Sequence, residues 1–307
     1  MIDSNAIGKL RDRIPDCEYV DRIRELDAIA GALPYNVFRE PVAITEIDDS
    51  GNNRLVNLDA HYLTGWSHHM AYSMRVRLRS LEPSIVHELA EGRALAPQVL
   101  LRSHLEAAAM SALCVETLKD CDIKALSKLV PQTLFGTALF NKAKRDERVA
   151  EMLTYSEQRT ITISHAMDAL HRFTRPGGGP NNTSIAYGLL CEASHPNHRG
   201  TKLFVHTENI DPAGEYGWRI TYSDIESVPE QLTEKLVEML IFSMSAGYGA
   251  TELLRNMQIS DSEKGVIVHG VPPEVGNNIW FNIVQKAVPS KRRSPPPKRG
   301  SKRKRSA

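Results

Sequence analysis

Residues 96 to 118, APQVLLRSHLEAAAMSALCVETL, have no polar side. Leu100, Leu105, Ala108, Ala109, Ala112, Leu113 and Val115 fall all around a helix of 3.6 residues per turn. A helix that is apolar all round has to be surrounded by others, and its alanines let those neighbours come close. The segment therefore predicts a mainly α protein, a multi-helix bundle around a buried central helix.

The rest of the chain fits that frame. Residues 16 to 33 read as a helix closed by Pro34. From about Leu58 to Leu81, the residues Leu63, Trp66, Met70, Met74, Leu78 and Leu81 form one apolar stripe at helical spacing. His61, His68, Tyr72, Arg75 and Arg79 lie almost opposite and read as a solvated face. Glu82-Pro83 should end that helix, leaving a short segment to Gly92. Two more helices are expected between 131 and 173. RPGGGPNNTS, residues 175 to 184, reads as a flexible loop whose Asn182 and Thr183 can cap the next helix, and Pro196 stops that helix. Ser227 to Glu230 has the form of a capping box opening a helix to about Arg255.

Strand signals are few. KLFVH and EYGWRITY alternate apolar and polar residues around DPAG, which predicts a β-hairpin near residues 202–222. GVIVHG reads as a short strand, and PVAITEID is open between strand and loop. The organisation expected is a helical domain over 1–288 and a tail over 289–307.

That tail, PSKRRSPPPKRGSKRKRSA, holds nine cations and no acid: Lys291, Arg292, Arg293, Lys298, Arg299, Lys302, Arg303, Lys304 and Arg305. Removing these nine from 38 Lys and Arg leaves 29 against 37 Asp and Glu, so the rest carries −8. With proline and no apolar anchor, the tail cannot bury enough surface to fold, and it reads as disordered. Clustered cations on such a segment associate with phosphates, so RNA or DNA is the expected partner. A tail that docks on the acidic remainder of its own chain is the bland alternative. KRR and KRKR also have the form of import signals. No aromatic residue is interleaved, so base stacking is not expected.

Cys17, Cys114, Cys121 and Cys191 suggest neither a disulfide framework nor a zinc site. His61, His68 and His69 lack a matching carboxylate, so no metal site is expected, and no cofactor motif is present. PGGGP lacks the Lys-Ser/Thr of a phosphate-binding loop. No segment reaches the uninterrupted apolar length of a membrane span. A cytoplasmic location without membrane attachment follows as the expectation.

Two short constellations can carry chemistry. Arg102 and Glu106 are four residues apart on the central helix and share a face with Ala109 and Leu113. In YGLLCEASHPNHRG, Glu192 and His195 are three apart at the end of a helix. An imidazole held by a carboxylate is a usable general base near neutral pH. The structural alternatives are a buried ion pair that fixes helix register, and a histidine satisfied by the dipole of a helix C-terminus. If the two helices meet, Arg102 can bridge both carboxylates.

LLRSHLEAAAMSAL followed by IAYGLLCEASHPNHRG resembles a broad group of uncharacterised bacterial helical proteins over residues 60 to 255. There an Arg and a Glu sit on one central helix, and a second helix ends in a Tyr-x-x-x-Ser/Cys-Glu-x-x-His-Pro-like motif. The resemblance implies Arg102, Glu106, Tyr187, Glu192 and His195 as site residues. The group is sometimes likened to HEPN-type domains, many of them metal-independent ribonucleases, whose signature is an Arg and a His with four to six residues between them. Arg159/His165 and Arg199/His206 have that spacing, but neither Arg is followed by the usual Asn or Asp. Three readings stay open: nucleic-acid association through the tail with a polar site of unknown purpose in the core, a HEPN-like ribonuclease using His195, and a non-catalytic interaction protein whose polar cluster is structural.

Overall fold

The computed structural model describes residues 1–14, 17–32, 45–47, 53–55, 58–121, 125–126, 129–130, 132–133, 162–195, 202–209, 218–223, 225–263 and 265–270. The tail, Arg159, Pro196 and Arg199 lie outside the described residues. The protein is mainly helical. Among the described residues its long helices are α1 (Ser4–Arg13), α2 (Cys17–Ala32), α3 (Ala60–Ala90), α4 (Leu95–Lys119), α5 (Ile163–Thr174), α6 (Asn182–Ser194) and α7 (Glu230–Asn256). The described residues also hold three antiparallel strand pairs: β1 (Thr45–Ile47) with β2 (Asn53–Leu55), β3 (Val205–Asn209) with β4 (Trp218–Tyr222), and, after α7, β5 (Gln258–Ser262) with β6 (Gly265–Gly270). The expected hairpin near 202–222 is present, pairing Val205 with Tyr222 and Asn209 with Trp218.

The central position expected of residues 96–118 is occupied by α4. It packs against α3, α5, α6 and α7, and Ala107, Ala108, Ala109 and Ala112 are all buried. Small residues keep the backbones close on the α7 side too. A Cβ added at Gly247 would stand 2.6 Å from Leu78 Cδ1 and 3.3 Å from Ala108 Cβ. Larger side chains there would have to push α7 away from α3 and α4. Among the described residues, one continuous buried apolar cluster runs from Ala6 in α1 to Met257 after α7.

Several expectations give way to tertiary packing. The helix that begins near 58 does not stop at Pro83 but continues to Ala90. Proline removes one intrahelical hydrogen bond and crowds the preceding turn. Burial of Ile85, Val86 and Leu89 beyond it, together with buried bonds to Glu82, offsets that cost. Nor is the face opposite the apolar stripe solvated throughout. His61 and Tyr72 are exposed, but Arg75 is only 2 % exposed. The capping box at 227–230 does not form: Pro229 occupies the N-cap, and the Ser227 N–H donates to Leu203 O at 2.7 Å. At α6 the cap is Asn181, one residue before the expected Asn182, with its side chain accepting from Ser184 N–H at 3.0 Å. His165, one half of an Arg/His spacing, closes a capping box with Thr162 at the start of α5. Helix α1 had no counterpart in the sequence reading; Asp3 caps it and Ala6, Ile7 and Leu10 form its buried side.

Candidate functional site

Helix α4 presents polar groups in two directions. Toward α6 it carries Arg102 and Glu106, one turn apart, with Arg102 Nε donating to Glu106 Oε1 at 3.1 Å. The Tyr187 hydroxyl on α6 donates to the same oxygen at 2.8 Å, and the Arg102 guanidinium lies 5.7 Å from the centre of the Tyr187 ring. Cys191, one turn beyond Tyr187, is half-buried. Burial, then the bonds from Glu106 and Cys191, push the Tyr187 phenol well above its ordinary range, despite the opposing bond from Arg102. For Arg102, burial opposes the charge, but its bonds to Tyr187 and Glu106 outweigh it and raise its pKa. The cluster is thus a neutral phenol and a fixed cation around one carboxylate.

It is neither sealed nor open. Arg102 and Glu106 keep 30 % and 27 % of their side-chain surfaces exposed, so the expectation that this face points wholly into protein does not hold. Of the sequence candidates, Arg102, Glu106 and Tyr187 come together. Glu192 and His195 are both exposed at the far end of α6. His195 is the C-cap residue, and its backbone N–H donates to Cys191 O at 3.1 Å.

The opposite side of α4 holds polar groups that sequence reasoning passed over. His104 is fully buried between α3 and α7, with Nδ1 2.7 Å from Ser243 Oγ and Nε2 3.3 Å from Glu82 Oε1. The Tyr248 hydroxyl donates to the same Glu82 oxygen. With Glu82 Oε1 accepting from the Nε2–H, Nδ1 is left to accept the Ser243 hydroxyl. Carboxylate, imidazole and hydroxyl in a row are the parts of an activated nucleophile. Here all three are at most 1 % exposed, so this row ties helices together instead of meeting a substrate.

Further along the same interface, Arg75 Nη2 donates to Glu252 Oε2 at 2.5 Å, while Arg255 and Asn256 hold Oε1. Burial drives the Glu252 carboxyl upward, but the bonds and charges of Arg255 and Arg75 outweigh it and set its pKa below the ordinary value. Beside it, burial lowers the His68 imidazole, although that ring is bonded to the Arg255 backbone. The signal that could have exposed these groups is a polar series on an otherwise apolar helix: Ser243, Tyr248, Glu252 and Arg255 on α7. Solitary buried polar groups are not tolerated, so each implied a distant partner.

Among the described residues, no group of three or more His, Cys, Asp and Glu side chains is placed to hold a metal ion, and no helix is long and apolar enough to cross a membrane. Comparison with protein-family models, with curated proteins and with solved structures finds no match for this chain.

Proposed function

We propose that the protein associates with nucleic acid through residues 289–307. One observation carries this reading: nine Lys and Arg without an acidic residue in 19 positions, on a chain whose remainder is −8. Each cation that meets a phosphate releases a counterion, so binding is salt-dependent and indifferent to base sequence. The helical part supports the reading by its own charge distribution. Its buried cations are committed internally, Arg75 to Glu252 and Arg79 to Asp27. Nucleic acid is therefore met by the tail and repelled by the rest.

The test compares the full chain with a chain lacking 289–307, using fluorescence anisotropy of a labelled 20-base-pair duplex at 50 and 200 mM salt. If six or more phosphates are engaged, affinity for the full chain should fall about 10³-fold or more between those salt concentrations. The truncated chain should bind weakly at both. Equal affinity and equal salt dependence without the tail would overturn the reading. Single-stranded RNA that is shortened during the same incubation would move the reading to a ribonuclease.

A further inference from the structure

We propose that an open cleft at the N-terminal end of α4, walled on one side by the exposed Arg13, binds a small zwitterion of the amino-acid class. This site is independent of the basic segment. Its volume is about 360 Å³, and its walls come from four places: Arg13 at the end of α1, Gly92 in the turn between α3 and α4, Glu226 and Val228 before α7, and Thr233 in the first turn of α7. Pockets for small ligands begin at roughly 300 Å³.

Three polar groups face this space with bonding capacity unused. Arg13 is held by its Nε, which donates to Ala90 O at 2.7 Å. Its guanidinium rests on Gly92, whose φ is +76°; a Cβ there would lie 2.8 Å from Arg13 Cζ. Among the described residues, backbone groups position the cation and no carboxylate pairs with it. Glu226 caps α4 through Oε2, which accepts from the N–H groups of Ala94 and Leu95 at 2.5 and 3.0 Å. Its Oε1 makes no bond among the described residues. Arg93 lies close enough to feel the Glu226 charge, but its Nη1 is committed to Glu88 at 2.9 Å. Thr233 is 7 % exposed, and its hydroxyl bonds no described protein group. Its oxygen is not among the buried polar atoms left without a partner, so it reaches the cleft and is open to a ligand.

The charges select the ligand. A simple anion on Arg13 would also face the Glu226 carboxylate, and a simple cation on Glu226 would face Arg13. A molecule with a carboxylate at one end and an ammonium at the other satisfies both. The carboxylate forks onto the Arg13 guanidinium, the ammonium donates to Glu226 Oε1, and the Thr233 hydroxyl takes a third bond. Val228 leaves one apolar wall for a side chain.

The experiment is calorimetric titration of the full chain with each of the twenty common free amino acids. Acetate, inorganic phosphate and methylammonium serve as single-charge probes. At least one amino acid should bind with Kd at or below about 1 mM, and each single-charge probe at least about tenfold more weakly. Arg13→Gln and Thr233→Val should each weaken that binding about tenfold or more, because each removes one ligand bond. Thr233→Val conserves volume, so it decides the matter should Arg13→Gln fail to fold, and unfolding midpoints report the fold of both. Binding by none of the twenty overturns the proposal. So does binding that both variants leave intact, or phosphate binding tighter than any amino acid, which would make this an anion site.

Discussion

His104 and Arg102 are two residues apart on one helix and have opposite fates. His104 turns toward α3 and α7 and is fully buried with Glu82, Ser243 and Tyr248. Arg102 turns toward α6 and shares Glu106 with Tyr187 in a half-exposed cluster. The chemistry of the two groups is similar: a carboxylate, a nitrogen base or cation, and a tyrosine hydroxyl. What differs is whether water can replace a lost partner. On the buried side it cannot, so each group is a structural commitment. On the α6 side it can, so the groups are cheap to separate and available to a ligand.

The largest expected effect belongs to the buried side. Arg75→Ala takes one of two cations from Glu252, a carboxylate 1 % exposed that keeps Arg255, and should destabilise the fold by about 3 kcal/mol in urea unfolding. Arg102→Ala removes a half-exposed pair and should cost about 1 kcal/mol or less. Equal losses at the two positions would abolish the distinction between the faces.

An intermediate effect is expected at Tyr248. Tyr248→Phe takes a donor from buried Glu82 and should cost about 1–3 kcal/mol. It also has a pH signature. Burial, then the Glu82 charge and bond, raise the Tyr248 phenol well above its ordinary value near 10. The folded state keeps this proton where the unfolded chain releases it. The stability it supplies is complete below about pH 10 and is lost as pH climbs toward the folded value. Tyr248→Phe should remove that part of the alkaline decline and leave the share due to Tyr62 and Tyr187, whose phenols are also raised. An unchanged alkaline limb in circular-dichroism titrations would show that Tyr248 gains water access before it ionises.

The smallest effect sharpens the comparison. A double-mutant cycle between Arg102 and Tyr187, scored by unfolding free energy, should give a coupling of about 0.5–1 kcal/mol. Zero coupling would make the α4–α6 cluster a surface arrangement, and 3 kcal/mol would make it a second sealed core.

The architecture was largely legible and the polar chemistry only half so. An all-round apolar segment around Ala108 admits few placements, and α4 occupies the one expected. Arg102 and Glu106 were legible because a charged pair on such a helix asks for a neighbour, whereas Tyr187 entered only through a resemblance and not through any spacing. His104 was not, since periodicity reports which face is apolar, not which polar group has a partner 139 residues away in the chain. Arg75 failed for the same reason: it falls opposite the apolar stripe, yet α7 brings Glu252 to it across 177 residues. Pro83 misled because its local penalty was read without the burial that follows it.

The bonds that cross from α3 and α4 to α7 also fix what this core can do as a machine. Ser243, Tyr248 and Glu252 engage His104, Glu82 and Arg75 at three levels along the interface. A ratchet of α7 by one turn, about 5.4 Å, would break all three levels together and bury their charges unpaired. Gly247, wedged against Leu78 and Ala108, removes the room for a sideways step. The three long helices are a chassis, and any signal that crosses this protein has to travel through the parts bolted to it.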